Sequence, residues 1–374
     1  MASLSVSEYD NKELDALAEL PNRIIEAFQP VLWNKEIGYP TRVSRESALF
    51  KYIDVMHELR FENDYANLLG GLTQHEFELL KKLTSLVFDF SESQFQRKAI
   101  TRTSLLRMIN VLRHIKYLFG DERPRVFEIG PGCGYLGAML LLEGYPYAAT
   151  DVTQAFYLYQ NHLWNFISKG NVFEGAKEKI TPDLLGAIPP GSAVHIPWWE
   201  FVQLKPESVP QFDIVTCNHA LCEMHLDSLR FTLRIARSFL ESQNSVKAFV
   251  FEGWGYKQSP KISVGSVALA TDMFYRFGFS LVYNDSRFTI FAPSGTKNAI
   301  GSCSWEDLSN SYVPNYFAAL DNPLSQAVIK GRQETQSLEK VDIKDVNTFY
   351  TELLGSEDHL SPDEHFCKLV SRRY

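Results

Sequence analysis

The stretch VFEIGPGCGYLGAMLLLEGYPYAATD, residues 126–151, decides the fold of this chain. Val126–Ile129 is a short apolar run typical of a buried strand, and the sequence GPGCG at residues 130–134 predicts a tight loop. Good helix formers fill residues 135–143, and a second short apolar run ends in Asp151. The order of strand, glycine loop, helix, strand and acid is the context that a nucleotide-binding fingerprint requires.

Each part of this unit has a physical role toward a ligand. Glycines after a parallel strand let the backbone turn sharply and approach the ligand closely. The helix that follows points its free N–H groups at the same crevice. An acid at the tip of the second strand can accept hydrogen bonds from both hydroxyls of a ribose. We therefore predict a cofactor site that includes Glu128, Gly130, Pro131, Gly132, Cys133, Gly134, Tyr135, Asp151 and Val152.

The spacing of the glycines distinguishes two kinds of nucleotide site. Residues 130–134 give G-x-G-x-G, and the dinucleotide pattern G-x-G-x-x-G is matched only from Gly132 to Gly137. Glu128 lies two residues before the first glycine, where it could face a ligand's ammonium group. The combination E-x-G-x-G-x-G resembles the first motif of class I S-adenosylmethionine-dependent methyltransferases. In that family the loop wraps the methionine moiety and the equivalent of Asp151 binds the ribose. A dinucleotide enzyme and a purely structural glycine turn are the alternatives.

The composition of the 374 residues indicates a folded protein of two or three domains, or one core with long additions. Apolar residues make up 45% and aromatic residues 13% of the chain, which is ample for a packed core. The net charge of −8 disfavours a dedicated nucleic-acid binder, because such proteins usually carry a basic excess.

Further sequence features predict a cytoplasmic protein. The N-terminal sequence MASLSVSEYDNKELD is unlike a signal peptide, and no apolar run approaches the roughly 18 residues of a membrane span. The five cysteines are scattered without a C-x-x-C pair or zinc spacing, which is typical of reduced thiols. We expect a small-molecule acceptor and neither a nucleic-acid nor a membrane partner. A homo-oligomer stays open.

The chain divides into three predicted regions. Residues 1–120 show helical spacing, and Arg102, Arg107, Arg113 and Lys116 lie off the apolar stripe of the helix at residues 103–119, as a basic or simply solvated face. Residues 121–293 alternate strands with helices, which predicts a doubly wound α/β sheet. A closing hairpin at residues 279–292 predicts an antiparallel last strand, the mark of the Rossmann-like class I methyltransferase sheet. Residues 294–374 form a polar extension with weak helical patterns.

The turn after the third predicted strand, at residues 193–197, offers aromatic side chains. Trp198 and Trp199 follow this strand, and an indole can stack on adenine. Many methyltransferases have an acid at this point that binds the adenine amino group, whereas this chain has none before Glu200. Both tryptophans are predicted cofactor contacts, with core packing as the alternative.

The densest polar cluster, residues 218–225, follows the fourth predicted strand at residues 212–217. An alcohol needs a general base within hydrogen-bond reach, and histidine has a suitable pKa. We predict His219 as the base and His225 as the next choice, with Glu223 orienting His219 and Asn218 facing the cofactor. Glu252 follows the fifth predicted strand, at residues 247–251, and is a second candidate base or acceptor ligand. A divalent metal is possible at these side chains, but their spacing matches no strong metal signature. A capping asparagine and a buried structural histidine are the alternatives.

Three motifs together indicate which methyltransferases this chain resembles. The runs HIPWWEF at residues 195–201 and CNHALCEMH at residues 217–225, downstream of EIGPGCGYLG, resemble sugar O-methyltransferases of bacterial polysaccharide and natural-product clusters. The resemblance implies methylation of a sugar hydroxyl, with His219 or a neighbour as the base. Two alternatives stay open: a methyltransferase of an amine, a carbon acid or a macromolecule such as a protein, and a non-catalytic partner subunit that binds S-adenosylmethionine.

Overall fold

The computed structural model describes residues 3–30, 41–50, 61–100, 102–241, 246–255, 264, 266–285, 287–294 and 316–354. Residues 31–40 and 51–60 of the predicted helical region, and 295–315 and 355–374 of the predicted extension, lie outside the described residues. Within the described ranges, no helix has both the length and the apolar composition that crossing a membrane would need.

Helices precede the first strand. Ser5 and Glu8 form a capping box at the first of them, and Thr73 and Glu76 form another at the longest, which satisfies N–H groups that a helix start leaves open. The described elements here are α1 (Val6–Glu19), α2 (Asn22–Ala27), a 3₁₀ turn (Glu46–Phe50), α3 (Phe61–Asn67), α4 (Gln74–Phe95) and α5 (Arg102–Phe119).

Strands and helices alternate in the central part of the chain. The strands are β1 (Val126–Ile129), β2 (Tyr147–Asp151), β3 (Val172–Glu174), β4 (Ala193–Pro197), β5 (Ile214–Thr216), β6 (Ala248–Glu252), β7 (Phe279–Asn284) and β8 (Phe288–Pro293). The helices between them are α6 (Tyr135–Leu142), α7 (Gln154–Ile167), α8 (Pro182–Gly186), α9 (Trp198–Phe201), α10 (Leu226–Phe239) and α11 (Val267–Arg276), with a 3₁₀ turn at Leu221–Glu223.

The strands form one mixed sheet in the order β3-β4-β2-β1-β5-β6-β8-β7, with a short β9 (Phe317–Ala318) at the edge beside β7. β1 pairs in parallel with both β2 and β5, whereas β8 lies antiparallel between β6 and β7. The prediction of an α/β class I methyltransferase sheet with an antiparallel terminal strand is confirmed.

Two strands were not predicted, and both are short. β3 is the sequence VFE between polar stretches, and β9 consists of two residues paired with Tyr283 and Asn284 of β7. A strand of this length has too few residues for a periodicity of its own, so its partner strand defines it. β9 also shows that the region after residue 294 contributes to the sheet, which the predicted boundary at residue 293 does not include.

Within residues 316–354, two helices follow β9 and pack against the sheet domain and the N-terminal helices. They are α12 (Pro323–Ser337) and α13 (Ile343–Leu354). Ser325 Oγ donates to the carbonyl of Val282 at 2.6 Å, and Tyr117 OH donates to Thr335 Oγ1 at 2.7 Å. These contacts attach α12 both to β7 and to α5.

Strand order reverses between β1 and β5, because the chain runs from β1 outward to β2, β3 and β4 on one side and then crosses back to β5 and β6 on the other. In open α/β sheets, ligands bind in the crevice at the carboxyl ends of the strands at such a reversal. This edge of the sheet carries the glycine loop after β1, Asp151 at the end of β2 and Asn218 after β5.

Candidate functional site

A cavity of about 260 Å³ lies at the carboxyl ends of β1, β2 and β5. The sheet domain lines it with residues from the loops after these strands and from the helices beside them. The N-terminal helices cover it with residues from α2 and α5. The sheet-side lining is Ile129, Gly130, Pro131, Gly132, Cys133, Tyr135, Thr150, Asp151, Val152, Phe156, Phe201, Asn218, His219, Ala220, Glu223, Met224, His225, Ser228 and Thr232, and the cover is Ala27, Phe28, Gln29, Ser104, Arg107 and Met108.

The glycine loop has the backbone that its composition predicts. Gly130, Gly132 and Gly134 all have positive φ, at 66°, 59° and 72°. Gly134 begins α6, and a Cβ at this position would lie 2.9 Å from Trp164 Nε1, whose N–H donates to the Gly134 carbonyl. The loop therefore needs glycine there both for its conformation and for the close packing of α7.

Asp151 stands at the end of β2 with its carboxylate at the cavity. Its Oδ1 accepts from the Thr153 N–H at 2.9 Å, and its Oδ2 accepts from Gln160 Nε2 at 2.9 Å. Burial raises the pKa of the Asp151 carboxyl to about 6. Since each carboxylate oxygen can accept two hydrogen bonds, the group retains acceptor capacity for the hydroxyls of a ribose. The residues present therefore fit a nucleoside at this position.

Glu128 lies behind the cavity and is not among its described lining residues. Tyr147 OH donates to its Oε2 at 2.6 Å and Asn218 Nδ2 donates to its Oε1 at 3.2 Å, while burial raises the pKa of the carboxyl to about 7. Asn218 itself lines the cavity, and its Oδ1 accepts from the Glu252 N–H at 2.9 Å. Glu128 thus acts on the cavity through Asn218, which connects β1 to the end of β6.

Trp198 and Trp199 pack under the N-terminal helices, and the described lining of the cavity includes neither. Trp198 Nε1 donates to Glu13 Oε1 at 2.9 Å and its ring stacks on Phe28, with centroids 6.3 Å apart. Trp199 meets Tyr9 edge-on at 4.8 Å. The geometry is that of core packing, the alternative that the sequence left open.

His219 occupies an unusual backbone position beside the cavity. Its φ is 56°, and its N–H is shared between the carbonyls of Glu252 and Gly253 at 3.1 and 3.2 Å. Its ring lies directly over the α-carbon of Gly253, so that a Cβ there would overlap the ring. Its Nε2 lies 4.0 Å from Glu252 Oε1, and the side chain is 35% exposed. The loop after β6 therefore positions an accessible imidazole at the cavity.

Glu252 lies behind this imidazole and, among the described residues, outside the cavity lining. It is buried, and Asn110 Nδ2 approaches its Oε2 at 3.5 Å. Burial raises the pKa of its carboxyl to about 8, although the positive charges of Arg107 and Arg287 oppose the shift. A carboxyl in this state can hold or release a proton near neutral pH.

Glu223 and His225 both line the cavity. Glu223 closes the 3₁₀ turn after β5, and His225 is the N-cap of α10. The His225 Nδ1 accepts from the Asp227 N–H at 3.2 Å, which leaves its other ring nitrogen for a further contact. The predicted polar cluster is thus brought to the cavity as His219, Glu223 and His225, with Asn218 beside them.

The basic residues predicted to share one face of α5 have different surroundings in the structure. Arg113 is buried and donates to Glu76 Oε1 and Oε2, each at 2.6 Å, so its role is structural. Arg107 lines the cavity, with its Nε 3.6 Å from Asp64 Oδ2. The sequence alone could not separate these two arginines, because their neighbours are more than 30 residues away in the chain.

Among the residues that the structure describes, no group of three or more His, Cys, Asp or Glu side chains is arranged to hold a metal ion. His219 and Glu252 are close enough for an ion pair, but Glu252 is engaged by the amide of Asn110 behind it.

The raised pKa values make stability depend on pH. Asp151, Glu128 and Glu252 bind their protons more tightly when folded, so their contribution to stability is complete below their unfolded pKa values and is lost as pH rises through about 6, 7 and 8. We expect the melting temperature of the ligand-free protein to fall between about pH 5 and 8, and to fall less in Glu252→Gln. Thermal unfolding at constant ionic strength measures this. Identical slopes for the two proteins would contradict the buried, protonated state of Glu252.

Comparison with known proteins gives likenesses of fold. No protein-family model matches the chain, and no curated protein matches it. Among solved structures, a TehB-like SAM-dependent methyltransferase from Corynebacterium glutamicum shares 12% identity at a TM-score of 0.32, over 51% of this chain and 88% of that one. A magnesium protoporphyrin IX methyltransferase from Synechocystis shares 10% at 0.32, over 67% and 99%. An amino pentose methyltransferase from Micromonospora echinaspora shares 10% at 0.33, over 50% and 90%. Likenesses this distant carry no argument about activity.

Proposed function

We propose that this chain is a cytoplasmic S-adenosylmethionine-dependent methyltransferase that acts on the hydroxyl group of a small molecule, with a sugar as the favoured acceptor. The observation that carries the proposal is the convergence on one cavity of a left-handed glycine loop, the acid at the tip of β2 and an accessible histidine. The first two are the parts that a nucleoside cofactor needs, and the third is the part that an alcohol acceptor needs.

The cofactor would be held by the sheet side of the cavity. Asp151 would accept hydrogen bonds from the ribose hydroxyls, and the loop at residues 130–134 would surround the methionine moiety. Phe156 and Phe201 line the same cavity and offer rings for the adenine, in place of the two tryptophans. When bound, S-adenosylmethionine supplies an electrophilic methyl group on a sulfonium.

His219 would act as the general base on the acceptor. Its imidazole is exposed to the cavity, and the buried Glu252 carboxyl lies behind it at 4.0 Å. Glu223, His225 and Ser104 surround the same space with hydrogen-bonding groups. A polyhydroxylated acceptor suits such a lining, and the motif resemblance to sugar O-methyltransferases supports that choice.

Calorimetric titration of the purified protein with S-adenosylmethionine, S-adenosylhomocysteine and NAD tests the cofactor. We expect binding of the first two in the micromolar range and none of NAD. Methyl transfer is then measured on a panel of sugars, with amines and protein as the comparison. Binding of NAD instead would refute the cofactor, and transfer only to amines or protein would refute the acceptor class. Cofactor binding without turnover on any acceptor would favour a non-catalytic subunit.

Replacement of Asp151 by alanine should weaken binding of S-adenosylmethionine by about 10- to 150-fold. A hydrogen bond to a charged group contributes about 1.5–3 kcal/mol, and the variant loses the carboxylate that would accept from the ribose. Calorimetry measures the dissociation constant. Asp272→Ala is the matched control, since Asp272 is an equally buried acid that pairs with Arg276 on α11. Unchanged affinity in Asp151→Ala would refute the ribose contact.

A further inference from the structure

His195 lies in the middle of β4 and has no part in the function proposed above. It is fully buried, and its ring stacks on Tyr157 with centroids 3.6 Å apart at an angle of 11°. The edge of Trp164 covers it on another side, at 4.8 Å. It opens the run HIPWWEF, whose two tryptophans belong to the core. A polar ring in such a place needs defined partners for its nitrogens.

Gln160 is the partner on the cavity side, and its amide orientation is fixed by its surroundings. One end of the amide faces two acceptors, the carbonyl oxygen of Gly132 at 2.8 Å and Asp151 Oδ2 at 2.9 Å. Because neither of these oxygens can donate when Asp151 is ionised, the amide nitrogen must be at this end. The amide oxygen therefore faces the other way, toward His195 Nε2 at 3.2 Å.

This orientation determines what His195 must provide. An amide oxygen accepts only, so His195 Nε2 carries a hydrogen and donates to Gln160. On the other side of the ring, Nδ1 lies 3.3 Å from Glu174 Oε2. The Glu174 carboxylate accepts from Tyr157 OH, from the Ala176 N–H at 2.9 Å and from Asn161 Nδ2 at 2.6 Å, so it too is held in place.

We propose that His195 is a positioning residue for the cofactor, which holds the Gln160 amide in the one orientation that joins Asp151 to the glycine loop. The inference rests on the proposed function, because it takes Asp151 as the group that binds the ribose. The chain of hydrogen bonds runs from His195 through Gln160 to Asp151 and Gly132. It connects β4 with the two elements of the cofactor site.

Gln160 needs a supporting partner because a glutamine amide can flip, exchanging its nitrogen and oxygen, at little cost in free energy. If it did so here, its oxygen would face the Asp151 carboxylate and the Gly132 carbonyl, and both contacts would become repulsive. The N–H of His195 makes the reversed orientation unfavourable as well, since it would then face the amide nitrogen. Supporting groups of this kind keep a binding group within the narrow geometry that affinity requires.

Two substitutions of His195 distinguish the roles of its two ring nitrogens. In His195→Gln, the amide nitrogen reaches about as far as Nε2 and can still donate to Gln160. In His195→Asn, the shorter side chain reaches only as far as Nδ1, so the donor toward Gln160 is lost. We expect His195→Asn to bind S-adenosylhomocysteine about 10-fold more weakly than wild type, the lower end of the loss seen when a supporting partner of a binding group is removed. His195→Gln should stay within about 3-fold of wild type.

The experiment is calorimetry with S-adenosylhomocysteine on these variants, each also made in an Asp151→Ala background. If His195 acts through Asp151, His195→Asn should have little further effect once Asp151 is gone, which a purely structural role would not produce. His162→Gln is the control, because His162 lies on α7 rather than on β4 and its Nε2 contacts the carbonyl of Leu4 instead of Gln160. Should His195→Asn fail to fold, Gln160→Met removes the amide that His195 orients, and with it the donors to Asp151 and Gly132, with little change of volume.

The outcomes are distinct. Unchanged binding in both His195→Asn and Gln160→Met, together with loss of binding in Asp151→Ala, would overturn the inference and leave the proposed function standing. A full 10-fold effect of His195→Asn in the Asp151→Ala background would also overturn it, since His195 would then act by another route. If wild-type protein binds neither S-adenosylmethionine nor S-adenosylhomocysteine, the proposed function fails and the inference fails with it.

Discussion

Replacement of His219 by alanine is expected to lower turnover by about 10²–10⁴-fold and to leave the affinity for S-adenosylhomocysteine close to that of wild type. The magnitude is the usual contribution of general acid–base catalysis. The expectation that affinity survives comes from the position of the ring: it projects from the loop after β5 and contacts the loop after β6, whereas the groups proposed to hold the cofactor are Asp151 and the glycine loop.

The backbone around His219 gives a second reason for a functional role. A residue other than glycine at a φ of 56° is in a costly conformation, and asparagine or glycine would adopt it more readily. The structure retains histidine there and secures its N–H with two carbonyl acceptors. The position of this conformation, at the rim of a cavity and with a buried carboxyl 4.0 Å behind the ring, is consistent with the proposed catalytic role.

Single-turnover rates at saturating cofactor, measured over a range of pH, would test the role of His219. In wild type the rate should fall at acid pH as the base becomes protonated, and this dependence should be lost in His219→Ala. His75→Ala is a suitable control, because His75 is 65% exposed and lies on the surface beside Lys116. Turnover of His219→Ala near that of wild type would remove His219 as the base.

The sequence predicted the sheet because its decisive signals are local. The glycine loop, the acid at the end of β2 and the alternation of apolar runs with helices all lie within short windows, and the hairpin of β7 and β8 follows from two runs separated by Asn284 to Arg287. Such signals require no knowledge of what the elements pack against. The same holds for the polar cluster at residues 218–225, whose place at the cavity follows from its position after a parallel strand.

The parts that the sequence did not predict depend on distant contacts. Trp198 stands at the right turn for an adenine contact, but its place in the core is decided by Glu13 and Phe28, about 170–190 residues earlier. Arg107 and the end of α2 reach the cavity only because the N-terminal helices fold over it. The hydrogen bond between His195 and Gln160 joins β4 to α7, and no residue spacing in the sequence predicts it.

Replacement of Gly253 by alanine should lower turnover by about 10²-fold through His219, although Gly253 carries no reactive group. Gly253 has a φ of 65°, and a Cβ there would overlap Cε1 and Nδ1 of the His219 ring. The ring must therefore move away from Glu252 and from its place at the cavity, and a misplacement of about 1 Å is enough for a loss of that size. The same substitution strains the backbone by about 1–2 kcal/mol.

Gly278→Ala separates these two effects. Gly278 has a φ of 78°, similar to that of Gly253, but among the described residues the nearest atom that its Cβ would meet is Arg237 Nε, at 3.5 Å. We expect both variants to lose stability by a similar amount in thermal unfolding, and only Gly253→Ala to lose turnover. The Gly253→Ala rate should also change little when His219→Ala is added, because the base would already be displaced. Equal turnover in the two glycine variants would show that the position of the His219 ring does not limit the reaction. The assignment of His219 as the base would then fail. It would fail even if His219→Ala were inactive, because that variant could be inactive through misfolding.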